Sequence, residues 1–201
     1  MALKIEVSDS DRTIKSMLAT IEHIKDGAPK ACARAINATL AGLRKEAIRL
    51  AQGTYTAKAR DLARKALLQR AKAGQLSGLL SIKDKRGLNL VNFQAKPNRP
   101  GGKKPKEGAS VKVLKAGSRK NPRKSGQKAF VARGGNGNVL MFVRLKKGRG
   151  GLQALYGPHP VQSLGRDDNQ DALNRTVERL LPQNLQKEVD AVLAASLKGK
   201  R

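Results

Sequence analysis

The feature that constrains this chain most is the stretch of residues 96–128, where lysine, arginine, glycine, proline and serine crowd both ends. It begins KPNRPGGKKPKEG and ends KAGSRKNPRKSGQK, with the short apolar run SVKVL between them, and its only acidic residue is Glu107. Segments of this composition bury too little apolar surface to offset the entropy that is lost on ordering. Both ends are therefore predicted to be loops that are mobile unless a partner holds them.

Positive charge is concentrated in the same part of the chain. Residues 76–151 carry 20 Lys/Arg and 2 Asp/Glu, whereas residues 1–75 carry 15 and 7 and residues 152–201 carry 7 and 6. This asymmetry favours a polyanionic partner, DNA or RNA, over a general effect on solubility. No membrane partner is expected, because no apolar run reaches the ~20 residues that span a bilayer and the N-terminal sequence lacks the apolar core of a signal peptide.

The sequence offers few of the residues that enzymes use. It has one cysteine, Cys32, which lies on an apolar stripe, and two histidines, His23 and His159, and it contains no metalloprotease, P-loop, CxxC or serine-nucleophile motif. The acidic cluster at 167–171 lies where a helix is predicted to begin, which favours capping over metal binding. We therefore predict no enzymatic activity, no metal and no cofactor. Because the chain has only 3 Phe and 2 Tyr and no Trp, contact with the phosphate backbone is favoured over base stacking.

Apolar periodicity predicts helices near both ends of the chain. One stripe at spacings of three and four runs through residues 14–24, a second runs through 32–50, and residues 57–73 are predicted to form a third helix. A final amphipathic helix is predicted over 167–197, with a kink or a break at Pro182.

Between these helices the apolar period changes to two, which predicts strands. Residues 80–82 and 88–90 form one predicted hairpin, and residues 111–113 form a short strand. Residues 128–132 and 139–145 form a second predicted hairpin, because an Asn-Gly pair lies between them. The N-terminal residues are predicted to be an edge strand or a loose arm.

The predicted fold class is α+β, an antiparallel sheet of four to five strands with long N-terminal helices and a C-terminal amphipathic helix. We predict one domain over residues 1–201. Its parts are a helical part at 9–73, a basic antiparallel sheet with long loops at 76–151, an ordered turn segment at 152–164 and a C-terminal helix at 167–197.

The basic loops form three clusters and are the candidate site for DNA contact. A solvated charged face is the ordinary fate of one such cluster, but three clusters in a region nearly without acids favour an anionic partner. The sequence shows no helix-turn-helix, zinc finger or recognition helix, so the contact is predicted to be independent of base sequence. The candidate residues are Lys96, Arg99, Lys103, Lys104, Lys106, Arg119, Lys120, Arg123, Lys124, Lys146, Lys147 and Arg149.

Several segments, taken in their order along the chain, resemble one family of structural proteins. They are ARAINATL before a long basic helix, TAKARDLARKALLQRA, strands around a Lys/Arg-rich insert, KAFVAR entering a hairpin, and LYGPHPVQSL before a helix that contains LLPQNLQKEV. In this order they resemble the minor tail protein Z family of tailed phages and prophages, over about residues 28–197. The long insert at 95–128 departs from the family pattern.

The resemblance implies a structural protein of a long-tailed virion, assembled in the host cytoplasm and placed at the head-proximal end of the tail. It implies a homo-oligomeric ring, a hexamer by the usual tail symmetry, that joins the tail to the head-neck proteins and contacts double-stranded DNA non-specifically. The most specific piece of the resemblance consists of Leu155, Tyr156, Gly157 and Pro158. This piece is either a docking surface for a neighbouring ring protein or a fold-defining turn that packs Tyr156 into the core.

A nucleic-acid-binding protein outside a virion is the alternative, because a ribosome-associated or nucleoid factor fits the charge equally well. The long helices and the ordered segment ahead of the last helix have less purpose in such a protein. Native size separates the two hypotheses: a stable monomer that coats DNA supports the alternative, and a ring supports the tail protein.

Overall fold

The computed structural model describes residues 2–8, 12–24, 27–83, 86–101, 105–146 and 151–198. The chain forms two compact units, and each is assembled from separate stretches of sequence. Unit 1 consists of Met1–Ile48, Lys65–Lys83 and Leu164–Arg201, and unit 2 consists of Arg49–Arg64 and Asp84–Ser163.

Unit 1 contains a three-stranded antiparallel sheet in the order β1-β3-β2. Its strands are β1 (Ala2–Ser8), β2 (Ala66–Gln69) and β3 (Ser77–Lys83). Leu80 of the central strand lies opposite Ile5 of β1 and Leu68 of β2. The N-terminal residues are therefore an edge strand, as one of the two predictions for them stated.

Three helices complete unit 1: α1 (Arg12–Ala19), the first part of α2 (Gly27–Thr54) and all of α5 (Asp167–Lys198). The predicted stripe of α2 is confirmed as far as Ala47, because Cys32, Ile36, Leu40, Leu43 and Ala47 are all buried, whereas its last member, Leu50, is half-buried. The first helix is shorter than predicted, since the chain forms turns from residue 20 to residue 24.

Glycines allow close packing in unit 1. A Cβ at Gly78 of β3 would lie 2.5 Å from Leu40 Cδ1 of α2, and a Cβ at Gly42 of α2 would lie 2.5 Å from Leu180 Cδ1 of α5. The two helices also share a polar contact, because Asn184 Nδ2 donates to the buried Thr39 Oγ1 at 3.0 Å.

The final helix is one element, and the predicted break at Pro182 does not occur. A proline inside a helix removes one backbone hydrogen bond. Buried side chains on both sides of it, Leu173 and Leu181 before and Leu185 and Val189 after, anchor the helix to the core, and this packing holds the helix together across the proline.

The predicted helix over residues 57–73 is wrong beyond its first turn. Helix α3 covers only Ala59–Ala63, and the following residues turn into β2. The apolar run Ala66-Leu67-Leu68 is too short for its period to separate helix from strand. Pairing with β3 decides the outcome, and it leaves Leu67 exposed on the outer face.

Unit 2 contains a three-stranded antiparallel sheet, β6-β7-β8, and a two-stranded ribbon, β4-β5. The predicted second hairpin is confirmed, with Gly137 at a φ of +77° in its turn. The strands of unit 2 are β4 (Arg123–Lys124), β5 (Gln127–Lys128), β6 (Phe130–Arg133), β7 (Val139–Arg144) and β8 (Leu152–Ala154). Its helices are α3, the end of α2, and α4 (Pro160–Leu164) except for the last residue of α4, which belongs to unit 1.

The α+β class is confirmed, but the single sheet of four to five strands is wrong, because no sheet in the described ranges exceeds three strands. Residues 88–90 do not pair with 80–82, since β3 pairs with β1 and β2 instead and Leu90–Asn92 forms a 3-10 helix. Residues 111–113 make only isolated bridge pairs and no strand.

Candidate polyanion-binding surface

The two units differ sharply in charge. Unit 2 holds 23 Lys/Arg and 3 Asp/Glu, a net charge of +20, whereas unit 1 holds 19 and 12, a net charge of +7. The folded chain therefore collects most of its positive charge in the smaller of its two units.

The chain itself holds the loops of unit 2. Residues 105–122 form no helix or strand, as predicted, whereas the prediction of a loop is wrong at 123–128, where β4 and β5 form a two-stranded ribbon. The main chains of Lys96 and Ser110 exchange two hydrogen bonds, at 2.8 and 2.9 Å, and those of Val111 and Lys120 exchange two at 2.8 Å. The Ala109 amide donates to the Ala129 carbonyl at 2.7 Å. The partner that holds residues 105–128 is thus the rest of unit 2.

Three of the candidate DNA contacts have partners inside unit 2. Arg119 Nη1 donates to the Gln94 carbonyl at 2.7 Å, and the same guanidinium lies 3.4 Å from the Ser110 carbonyl. Arg123 pairs with Glu107, and Lys124 Nζ donates to Gln153 Oε1 at 2.5 Å. These contacts hold the loops in place, so part of the positive charge of the three side chains stabilises the fold.

Five other candidates are exposed, and their side chains have no hydrogen bond or ion pair with the residues that the structure describes. They are Lys96, Arg99, Lys106, Lys120 and Lys146. The remaining four candidates, Lys103, Lys104, Lys147 and Arg149, lie outside the described residues.

Two cations that sequence reasoning did not select lie beside Arg99 in one cleft. They are Lys128 and Arg144, which line a cavity of about 440 Å³ together with Arg99. The sequence gives one signal for Arg144, because it is a charged residue at the end of the otherwise apolar strand VLMFVR. No local signal joins Lys128 to Arg99, because the fold brings together residues 29 positions apart.

Residues 155–157 run antiparallel to residues 88–90 and are held to them by main-chain hydrogen bonds. The Leu90 amide donates to the Leu155 carbonyl at 2.9 Å, and the Gly157 amide donates to the Leu88 carbonyl at 2.8 Å. A Cβ at Gly157 would lie 2.8 Å from Cε2 of the buried Phe93 ring, so glycine is required there. The segment defines the fold, yet Tyr156 is 41% exposed and lies outside the core, with Arg86 5.7 Å from its ring centroid.

The described residues give little support for a metal site, a reactive thiol or a membrane-spanning helix. They contain no group of three or more His, Cys, Asp or Glu that could hold a metal ion, and Asp167 and Asp168 occupy the first turn of α5. Cys32 is buried in the core. None of the helices searched in those ranges has the length and hydropathy to cross a membrane.

The described residues form a small α+β protein that exposes lysines, arginines and several large apolar side chains. A family model described as prophage minor tail protein Z (GPZ) matches residues 12–198. The chain therefore belongs to the prophage minor tail protein Z family, which gives it a structural role in a phage tail. A search of curated proteins and a search of solved structures each returned no match.

Proposed function

We propose that this protein completes the tail of a long-tailed phage. Six copies form a ring at the head-proximal end of the tail and join it to the head-neck proteins, and both units act together as one tail-completion domain. The ring contacts double-stranded DNA without reading its sequence and so positions the genome for delivery. The observation that carries the proposal is the net charge of +20 in unit 2, combined with membership of a tail-protein family.

The exposed lysines are suited to such a contact. Lysine neutralises phosphate as a point charge, and phosphate contacts carry no sequence information. Because each contact releases counterions, the affinity falls steeply with salt. Contacts of this kind hold DNA and still let it pass, which a delivery channel requires.

Exposed apolar side chains supply surfaces for subunit and neighbour contacts. Six large ones stand out in the described ranges, including Tyr156, which keeps residues 155–158 as our candidate docking surface. A head-to-tail contact between different patches of identical subunits closes into a ring when the rotation permits. The other five are Leu67, Leu114, Leu145, Leu152 and Leu197.

The DNA contact is tested with two matched quadruple variants. The first changes four exposed lysines of unit 2 that have no side-chain partner in the described ranges, Lys96, Lys106, Lys120 and Lys146, to Gln. The control changes four exposed lysines of unit 1, Lys15, Lys45, Lys72 and Lys187, to Gln, which removes the same charge. If each unit 2 lysine meets a phosphate, the slope of log K against log salt becomes about 3.6 shallower in the first variant only.

Both variants should remain folded, because exposed side chains contribute little to stability. Equal loss of duplex affinity in the two variants would contradict a localised DNA contact. Imaging of virions then tests position and copy number: we expect a ring of this chain between tail and head, whereas a monomer spread along DNA would support the nucleic-acid-binding alternative.

A further inference from the structure

The cleft that contains Arg99, Lys128 and Arg144 is lined by three cations. It has a volume of about 440 Å³, and none of the described residues that line it is acidic. Its walls are Pro97, Pro105 and the glycines Gly101 and Gly108, and its apolar surface is supplied by Ala109, Ala129, Phe130 and Val131. A concave site of this size with a few convergent polar groups is the ordinary form of a small-ligand site.

Arg144 is the fixed member of the cationic group. It is the last residue of β7, it is half-buried, and its Cζ lies 5.6 Å from the centroid of the Phe130 ring. No carboxylate pairs with it among the described residues, so the ring face is the attraction that the structure records for its charge. A guanidinium held in this way keeps its fork of N–H donors for an oxyanion.

Lys128 and Arg99 differ in how much of their charge is already neutralised. Lys128 Nζ donates to the Lys106 carbonyl at 2.5 Å and lies 3.7 Å from Glu107 Oε1. Glu107 is shared, because it also pairs with Arg123. Arg99 is exposed and has no side-chain partner within the described ranges, so the cleft retains excess positive charge.

We propose that this cleft binds a phosphate group, with Arg144 as the oriented donor and Arg99 and Lys128 as flanking charges. The proposal deepens the proposed function, because it gives the DNA contact one built site in addition to the dispersed lysines. The phosphate comes either from a nucleic-acid backbone or from a free polyphosphate. Three cations around one cleft match closely spaced negative charges, which consecutive phosphates of a backbone or of a polyphosphate chain carry. Binding of an acidic peptide is the competing outcome of the test.

Inorganic tripolyphosphate is the probe, with binding to the full-length protein measured by calorimetry at low salt. Arg99→Gln and Arg144→Gln remove one lining cation each. Arg133→Gln is the matched control, because Arg133 is exposed on β6 of the same sheet and does not line the cleft. We expect each cleft variant to lose about tenfold in tripolyphosphate affinity, and the control to lose less than about twofold. Arg144→Lys keeps the charge but loses the fork, so it should lie between wild type and Arg144→Gln.

Thermal melting of each variant accompanies the titration, and the exposed Arg99 provides a test that does not depend on folding of the strand that holds Arg144. A short DNA strand that competes with tripolyphosphate identifies nucleic acid as the source of the phosphate. Absence of competition identifies free polyphosphate, and the cleft assignment is supported in both cases.

Unchanged affinity in both cleft variants overturns the proposal, and so does binding of a glutamate-rich peptide in place of tripolyphosphate. If duplex DNA binds and tripolyphosphate does not, the cleft proposal fails and the DNA contact stands. If tripolyphosphate binds through Arg99 and Arg144 and duplex DNA does not bind, the DNA contact fails and the cleft stands.

Discussion

Replacement of Glu107 is the sharpest test of the proposed contact between unit 2 and DNA. It is the only acidic residue among the described residues of 86–163. Its carboxylate pairs with Arg123 and lies 3.7 Å from Lys128 Nζ, so it neutralises two cations at once. Glu107 is 62% exposed, and ion pairs this exposed contribute about 0–1 kcal/mol to stability. Glu107→Gln should therefore fold normally.

The magnitude follows from the two cations that the change releases. Each further phosphate contact steepens the slope of log K against log salt by about 0.9, so two contacts steepen it by up to about 1.8. Between about 50 and 200 mM salt, that slope makes the loss of duplex affinity about 12-fold larger than in the wild type. Fluorescence anisotropy with a labelled duplex, repeated across this range, measures the slope directly.

Glu178→Gln is the matched control. Glu178 is exposed on α5 in unit 1, has no ion pair with the described residues, and its change raises the net charge by the same single unit. A general charge effect would alter both variants alike. Equal salt slopes for the two variants would refute the view that Glu107 masks DNA-contacting cations.

Two further predictions concern the fold. Gly87→Ala should lower stability by about 3 kcal/mol or more and the melting temperature by at least about 6 °C, because its Cβ would lie 2.0 Å from the Gly157 carbonyl oxygen. Gly135→Ala is the control, because Gly135 has open space around it, and it should melt near the wild-type temperature. Equal melting temperatures for the Gly87 and Gly135 variants would contradict the close contact between Gly87 and Gly157. Leu43→Asp and Leu181→Asp place charges in the core and should abolish soluble protein, whereas soluble, folded variants would identify those positions as exposed.

Local signals predicted the parts of the fold that depend on local interactions. The stripe of α2 and the Asn136-Gly137 turn each carry their information within a few residues, and both were predicted correctly. The sheet of unit 1 was not predicted, because the residues of β3 pair with residues of β1 that lie 69 to 81 positions earlier in the sequence. A local apolar period cannot indicate a pairing strand at that distance. For the same reason the sequence predicts a helix where β2 lies.

The candidate site shows the same division. The sequence located the positive charge, but it could not tell which cations the fold itself uses. Arg119 binds the carbonyl of Gln94, 25 residues away, and Arg123 binds Glu107, 16 residues away. Arg144 was missed because its strand looked like core, and only the tertiary fold brings it to the cleft beside Lys128.

The positive charge on which the proposed DNA contact depends also opposes the folding of unit 2. A net charge of +20 on so few residues raises the energy of the compact state through self-repulsion. The loops offset part of this cost by directing Arg119 at carbonyl oxygens and Arg123 at Glu107, where the charges meet acceptors and not other cations. A polyanion that binds the remaining cations relieves the repulsion and stabilises the folded state by mass action. In a protein built this way, the proposed DNA contact and the added stability of unit 2 would both follow from the same unbalanced charge.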